Sequence, residues 1–583
     1  MADNEVKGGL DVATRVADKA EEWANLGEAK KLEYLHGILR RLDFPTCDEW
    51  AKLHAQHVVK APTSDDGEVD IARHGHLIAE GFVAGPAMLG GYTSTLVKSY
   101  QEYLRNNGGF LNDTYPATRA SEEEGSDHIV SVFPGDVKEK ILAYGMSGEL
   151  YLDGAEPLTR GKTFQAEKKE PGLVLVLGAG NFAAPIEILT KMFCEHKVCV
   201  YKPNPVNGAV TGPMLRRVLA DLVEDGYLDF VDGDINVASA VIHAACTKQV
   251  MLTGSDRTYD AIVWGSPGNK EEQDQKKQQG ARALDKQVDA ELGNVNTVSI
   301  VPGEYTEKEL RQLARHVAHV RVFNGGHTCP SPQIMLMSKD WPQRETFCDL
   351  VKEFMSTHLP SPSYYPGADR KREQFQKEFA DTAEDVKYKG VYEPTVGFLE
   401  PLWVPDITTN EELFQRTETF CPVIGARYLE DAATPELFCP LAAEYVNEKT
   451  WGNLSTTVLA SNLTLSTHRG VLRQMVNDLR FGAVGVNIWG GLCVFFGQLH
   501  WGAFPGNLPE DVQSGLGLGV GNFLQYDNLK KAVLWCPSVH DFQQGGHPNP
   551  HLDYKVAYRL CDFNVKQSYW SLTKVACAMM LGF

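Results

Sequence analysis

Cys329 stands in Asn324-Gly325-Gly326-His327-Thr328-Cys329-Pro330-Ser331-Pro332, between two apolar runs, and Glu291 opens Glu291-Leu292-Gly293-Asn294-Val295-Asn296 upstream. A nucleophilic sulfur paired with a carboxylate able to activate water is what chemistry through a thioester requires. A free thiol has a pKa of about 8.5 and needs help to ionise at neutral pH. The glycine pair before Cys329 lets the backbone approach a ligand closely. Each residue alone also has a plain reading. Cysteine is often a small buried hydrophobe, and Glu291 taken alone reads as a solvent-facing charge closing a polar stretch.

Three further segments carry possible binding chemistry. Gly178-Ala179-Gly180-Asn181-Phe182-Ala183 fits G-x-G-x-x-A after an apolar run, the context of a dinucleotide site. Such a site wants an acid about 20 residues on, and this chain offers Tyr201-Lys202-Pro203 instead. Asn181 has a second reading as an amide donor to a developing oxyanion. Thr253-Gly254-Ser255 ends a strand pattern and opens a helix, where exposed amides suit a phosphate, although such turns are also generic. Glu418-Thr419-Phe420-Cys421-Pro422-Val423 says little in isolation. Cys194, His196 and Cys199 lie close together, but zinc normally takes four ligands and no second pair follows at finger spacing. No G-x-S-x-G elbow is present, which argues against a serine hydrolase.

The elements that must position these residues follow from periodicity. Residues 11–60 read as amphipathic helices, with Trp23, Leu26, Leu32, Leu35, Ile38 and Leu39 at three- and four-residue steps. A second apolar-patterned stretch runs from Ile78 to Leu104. Ile129 to Leu158 reads as short strands with turns. From Gly172 onward, the runs Leu173–Leu177, Val198–Tyr201, Phe230-Val231 and Val250–Thr253 alternate with helix patterns, which predicts a parallel sheet with helices on both faces. Residues 265–289 are a charged, Gln-rich insertion expected to be an exposed loop or helix. A second α/β stretch spans Thr297 to about Gly485, and 482–525 read as loops and short strands. Trp489, Phe495 and Phe496 belong either to a substrate tunnel or to the core. The tail after Cys536 reads as weakly organised, with Leu572 to Phe583 as a docked terminal helix.

At 583 residues, 43% hydrophobic, the chain is long enough for two or three domains. Lys plus Arg is 56 against 76 for Asp plus Glu, a formal net charge of −20, which disfavours a general nucleic-acid binder. Twelve scattered cysteines without a Cys-x-x-Cys pair, and an acidic start without an apolar signal region, lead to the expectation of a reduced, cytoplasmic protein. No uncharged run approaches the length of a membrane span.

Taken in order, these segments resemble the aldehyde dehydrogenase superfamily. Asn181-Phe182 with Pro185 is similar to its Trp-Asn-Phe-Pro stretch, Val200-Tyr201-Lys202-Pro203 to its Lys-Pro-Ser-Glu strand end, and Leu252-Thr253-Gly254-Ser255 to Phe-Thr-Gly-Ser. Glu291-Leu292-Gly293 is similar to Glu-Leu-Gly-Gly, Asn324 to Cys329 to Asn-x-Gly-Gln-x-Cys, and Glu418-x-Phe420-x-Pro422 to Glu-x-Phe-Gly-Pro. Trp501 to Gly506 with Ser514-Gly515 resembles the Pro-Phe-Gly-Gly…Ser-Gly region near the end. The departures are His327 before the nucleophile, Asn294 after Glu291-Leu292-Gly293, and Pro205 where many NAD-preferring members carry a ribose-binding Glu, which leaves NAD or NADP open.

The resemblance implies an α/β fold of aldehyde-dehydrogenase type: a Rossmann-type cofactor domain, an α/β catalytic domain and a small β oligomerisation element. The division expected is 1–128 with 160–290 for the dinucleotide domain and its N-terminal helices, 129–159 with 500–540 for the oligomerisation hairpin and strand, 291–499 for the catalytic domain, and 541–583 for a C-terminal tail. It implies oxidation of an aldehyde to an acid, with Cys329 as nucleophile, Asn181 and the Cys329 amide on the oxyanion, and Glu291 activating water. Lys202, Thr253, Gly254, Ser255, Glu418 and Phe420 would hold NAD or NADP. A homodimer or homotetramer is expected by the same analogy. Two alternatives stay open at this point: a CoA-acylating dehydrogenase or acyl reductase, and a non-catalytic protein retaining the fold.

Overall fold

The computed structural model describes residues 2–581 apart from 65, 66, 124, 163, 524 and 538–548, so the first residues of the expected tail, 541–548, lie outside the described residues, as do residues 538–540 and 582–583. The uninterrupted apolar run Leu173–Leu177 is an inner strand of a six-stranded sheet. Its order is Gly515–Leu516, Gln287–Glu291, Thr247–Thr253, Leu173–Leu177, Val198–Lys202, Leu228–Phe230. Five strands run parallel, and Gly515–Leu516 closes one edge antiparallel to Gln287–Glu291. The pairs Leu177↔Lys202, Leu177↔Leu252 and Thr253↔Glu291 bring four strand C-termini to the same edge. In open α/β sheets that edge is where ligands bind.

The second sheet has eleven strands. Its middle is parallel: Leu529–Trp535, Ala483–Val486, Ser455–Leu459, Asn296–Ile300, Pro332–Ser338, Val423–Leu429 and Leu402–Val404. His128–Phe133 and Ser147–Leu152 pair antiparallel and join this sheet through Leu529–Trp535, so the hairpin region continues the sheet that carries Cys329's downstream strand.

Residues 2–53 form four helices, Ala2–Ala17, Ala20–Asn25, Glu28–Arg41 and Phe44–Leu53. The first packs on Val198–Lys202 and Leu228–Phe230 of the six-stranded sheet, Glu28–Arg41 on helix Met88–Arg105, and Phe44–Leu53 on helix Ile71–Phe82; the fully buried Trp23 donates its indole N–H to the Met192 carbonyl at 3.0 Å. Helices Ile71–Phe82 and Met88–Arg105 are joined by a kink at Gly85-Pro86, as a proline inside a helix requires. At the kink the Ala84 carbonyl accepts the N–H groups of Ala183 and Ala184 at 2.9 and 3.1 Å, which ties this helix pair to the Asn181 loop. The helix that follows Leu173–Leu177 and its glycine turn starts only at Ile186, because Pro185 disfavours helical backbone before it. The charged insertion contains an exposed helix, Lys270–Gln279, capped by Asn269 and by Gly280 at φ +63°.

After Cys536 the structure departs from the sequence reading. Helices Pro550–Lys566 and Tyr569–Leu581 are well formed. Asn549 caps the first by accepting the His551 and Leu552 N–H groups at 3.0 and 3.2 Å, with Pro550 at its first position. This helix packs on Ile71–Phe82 and Met88–Arg105 at glycines: a methyl at Gly75 would stand 2.5 Å from the Pro550 oxygen, and one at Gly90 2.7 Å from Val565 Cγ2. Asn564 Nδ2 donates to the Ala87 carbonyl at 3.0 Å, and the Ser94 hydroxyl donates to the Asn564 carbonyl at 2.7 Å. The apolar stripe was hidden in the sequence because Tyr554, Tyr558 and Asn564 hold positions that face protein.

Candidate active site

Helix Glu307–Val322 begins with a capping box, Thr306 and Glu309 each bonding the other's backbone N–H, and ends where the chain enters left-handed backbone. Asn324, Gly325 and Gly326 have φ +53°, +62° and +78°. The glycines are needed for space as well as for φ: a methyl at Gly326 would lie 2.7 Å from Arg321 Nη2 and one at Gly325 2.7 Å from the Pro362 oxygen. The fully buried Arg321 staples this turn. Its Nη2 donates to the Gly326 carbonyl at 2.9 Å, and its Nη1 to the Pro332 carbonyl at 3.0 Å and to Thr419 Oγ1 at 3.2 Å. Glu80, buried on helix Ile71–Phe82, accepts the Asn324 N–H at 3.2 Å and the Ser361 hydroxyl at 2.6 Å. Asn296 Nδ2 donates to the Cys329 carbonyl. Arg321, Glu80 and Asn296 were not found from sequence. An arginine near a helix C-terminus looks ordinary, and the one available signal for Glu80 was a charge inside the apolar run Leu77–Phe82.

Glu291 ends the strand Gln287–Glu291, and its Oε1 lies 3.6 Å from Cys329 Sγ, within hydrogen-bonding reach of a thiol. Burial, reinforced by the neighbouring Glu187, pushes the Glu291 carboxyl up to about 7. Burial first, and then the Glu291 and Glu418 charges, holds the Cys329 thiol well above its ordinary pKa. The pair therefore rests with its proton on sulfur, beside a carboxyl that titrates near neutrality.

The candidate catalytic and cofactor-binding residues line one groove of about 650 Å³ at the strand C-termini: Cys329, Glu291, Asn181, Lys202, Thr253, Gly254, Ser255, Glu418 and Phe420; Trp489, Phe495 and Phe496 line a different cavity. Their hydrogen bonds differ in what they leave available. Asn181 Nδ2 donates to the His327 carbonyl at 2.9 Å, which spends one of its two amide N–H groups. Thr253 donates its hydroxyl to Glu187 Oε1 at 2.5 Å, and the Gly254 N–H donates to the Glu291 carbonyl at 3.0 Å. Ser255 caps helix Asp256–Val263 by accepting the Thr258 N–H at 3.2 Å. The Glu418 carboxyl accepts the Asn294 N–H at 3.2 Å, and burial raises it to about 7 despite the pull of Lys371. Lys371 itself donates to the Glu418 carbonyl at 2.7 Å.

The departures from the family pattern have structural roles. His327 is fully buried and spans two segments: its Nδ1 is 2.8 Å from the Phe420 carbonyl and its Nε2 2.9 Å from Ser363 Oγ. Burial lowers its pKa to about 4, so it is neutral, one nitrogen donating and the other accepting. Asn294 Nδ2 donates to the Ser455 carbonyl at 2.7 Å, tying the Glu291 turn to the eleven-stranded sheet.

Two glycines of the groove wall are required by close packing: a methyl at Gly180 would meet Asn204 Oδ1 and Tyr365 Oη at 2.8 Å, and one at Gly293 would meet the Glu418 carboxylate at 2.4 Å. The feature that suits a dinucleotide is Lys202. Lys202 is buried in the wall and forms no ion pair among the described residues, which leaves a cation for ribose hydroxyls or phosphate. Among the described residues no cluster of side chains could hold a metal ion.

No protein-family model and no curated protein matches this chain. Solved structures do match in three dimensions. An NADP-dependent glyceraldehyde-3-phosphate dehydrogenase from Bacillus halodurans C-125, complexed with NADP, is 13% identical over 91% of each chain with a TM-score of 0.57. A salicylaldehyde dehydrogenase from Pseudomonas putida G7 is 14% identical over 91% of this chain and 90% of its own, with a TM-score of 0.56. The aldehyde dehydrogenase KauB from Pseudomonas aeruginosa is 16% identical over 91% and 88%, with a TM-score of 0.54. The chain is built on the aldehyde dehydrogenase fold.

Proposed function

We propose that this protein oxidises an aldehyde to a carboxylic acid with NAD or NADP, through a thiohemiacetal and a thioester on Cys329. The observation that carries the reading is the 3.6 Å approach of Cys329 Sγ to Glu291 Oε1 at the wall of the groove. Glu291, titrating near neutrality, takes the thiol proton, and the thiolate attacks the aldehyde carbon. The free N–H of the Asn181 amide is the side-chain donor available to the oxyanion. The bound dinucleotide supplies a hydride acceptor. Lys202, Glu418 and Phe420 bind and orient it, and Arg321, Glu80 and Asn296 hold the nucleophile turn rigid behind the reacting sulfur. Glu291 gives that proton up to solvent and, again a carboxylate, draws a proton from water, which attacks the thioester carbonyl; collapse of the adduct expels the Cys329 thiolate and releases the acid. The fold of the solved neighbours, some of them crystallised with NADP or NAD+, supports this assignment.

The test is a spectrophotometric screen of short, long and aromatic aldehydes with both dinucleotides. Reduced dinucleotide should form with wild-type protein and not with Cys329→Ala. Turnover retained by Cys329→Ala would remove the sulfur from the mechanism.

A further inference from the structure

A second cavity, of about 370 Å³, lies against the nucleophile turn and shares no lining residue with the groove. Its inner end is made by Phe323, Trp489, Leu492 and Phe495. Phe323 directly precedes Asn324, and Trp489 donates its indole N–H to the Pro330 carbonyl, next to Cys329, at 2.8 Å. Phe495 sits 6.3 Å, centroid to centroid, from Phe182, the neighbour of Asn181. Its side walls come from Met88, Phe133, Leu142 and Met146. Its far wall is the C-terminal helix pair, which contributes Leu560, Phe563 and Met579, with Gln567 from the turn between the helices.

The lining also decides the chemistry by what it lacks. No lysine or arginine lines the cavity among the described residues. Its one acid, Glu139, is engaged: it accepts from Lys98 Nζ at 2.6 Å, Gln498 Nε2 at 2.9 Å and the Gly135 N–H at 2.7 Å. Its histidines, His316 and His319, are kept neutral by burial. A phosphorylated or carboxylated aldehyde would bring a charge into this space with no counter-charge to meet it. A saturated chain would gain apolar contact along the whole length.

We infer that this cavity, walled at its far end by helices Pro550–Lys566 and Tyr569–Leu581, is an alkyl-chain chamber, and that the substrate class is uncharged aliphatic aldehydes of medium to long chain. This rests on the dehydrogenase reading for the aldehyde end of the ligand, while the chamber itself can be tested without turnover.

The experiment has two arms on the full-length chain. In the first, octan-1-ol, which is not an aldehyde, is titrated calorimetrically into wild type, Leu560→Trp, which fills the chamber from the C-terminal helix, and Leu142→Trp, which fills it from a side wall. Melting curves establish that each variant is folded, and either variant suffices if the other does not fold. Wild type should bind, and filling should weaken binding at least tenfold. In the second arm, kcat/KM is measured from propanal to octanal with both dinucleotides. It should rise about fourfold per methylene, and the rise should flatten in the folded filled variant. Aldehyde turnover with a flat chain-length profile and no alcohol binding overturns the chamber and leaves the dehydrogenase reading standing. Alcohol binding that filling does not weaken also overturns it. Alcohol binding lost on filling, with no aldehyde oxidised, supports the chamber and overturns the dehydrogenase reading instead.

Discussion

Cys329 and Glu291 meet at 3.6 Å from two different sheets. Glu291 is the last residue of a strand in the six-stranded sheet, and Cys329 lies just before Pro332–Ser338 in the eleven-stranded one. The contact therefore depends on how the sheets are joined. Asn294 and Asn296 supply that join, the first bonded to Ser455 and the second to the Cys329 carbonyl. A carboxyl and a thiol placed this way share one proton problem. The Glu291 charge raises the cost of ionising Cys329, whereas the thiol, by donating to the carboxyl, eases the ionisation of Glu291; burial raises both pKa values.

Glu291→Gln removes the negative charge that helps hold the thiol protonated. The Cys329 pKa should then fall, so the pH midpoint for alkylation of Cys329 by iodoacetamide, followed by mass spectrometry of its peptide, should move downward. In the same variant steady-state aldehyde oxidation should drop about 10²–10⁴-fold, the usual worth of a positioned base. A burst of reduced dinucleotide should remain, and it should speed up at high pH, where the thiol ionises without help. An unchanged steady-state rate would take Glu291 out of the deacylation step.

The pH profile of the wild type follows from the same residue. Glu291 acts as a base only when ionised, and burial has moved its pKa upward, to about 7. Protonation below that value removes the base, so kcat/KM should rise as pH increases through about 7 rather than through the ordinary carboxylate range. A profile flat from pH 5 to 8 would contradict the assignment.

Much of this site was legible because its residues sit at the punctuation of the chain. Leu173–Leu177 and Val198–Lys202 announce buried parallel strands by unbroken apolar content, and the residues that follow such strands are those a sheet edge presents to ligands. Cys329 was legible because a glycine pair precedes it. Glu80 and Arg321 were not. Their bonds reach Asn324 and Thr419, 244 and 98 residues away in sequence, and no local pattern records a contact of that range. Helix Pro550–Lys566 was missed for a related reason, although the docked terminal helix beyond it was expected. Its inner face packs on Gly75 and Gly90 and carries tyrosines, so its stripe is not apolar by composition. Thr253 and Gly254 line the groove, yet their hydroxyl and amide are committed to Glu187 and Glu291, which spacing alone does not reveal.

Lys202 offers a prediction that separates binding from chemistry. It is a buried cation in the groove wall, distant in role from the thiol. Lys202→Met keeps the length of the side chain and removes the charge. The dissociation constant for the dinucleotide should rise about tenfold or more, the worth of one charge-assisted hydrogen bond. The kcat at saturating dinucleotide should change little. Calorimetric titration reads the first and initial rates the second. Dinucleotide affinity equal to wild type would remove Lys202 from the binding site.

Glu80 gives the last prediction, and it concerns stability. Burial raises its carboxyl from an ordinary 4.5 to about 7, against the opposing effect of Ser361 and the Asn324 N–H. A carboxyl with a raised folded pKa binds more protons in the folded state than in the unfolded state across that interval. Stability therefore falls as pH rises from about 4.5 to about 7, and the loss attributable to this group is complete above it. The upper bound is about 3 kcal/mol for a shift of that size. Glu80→Gln keeps an acceptor oxygen for the Asn324 N–H and the Ser361 hydroxyl and carries no charge. Its melting temperature at pH 8 should equal or exceed that of wild type, with the difference closing at pH 5. Glu80→Ala deletes the acceptor, leaves the Asn324 N–H buried without a partner, and should lose about 1–3 kcal/mol at both pH values. It should also lower kcat, because the left-handed turn carrying Cys329 loses its anchor. Thermal melts of the three proteins at the two pH values distinguish these outcomes, and a Glu80→Ala protein as stable and active as wild type would show that the carboxyl anchors nothing.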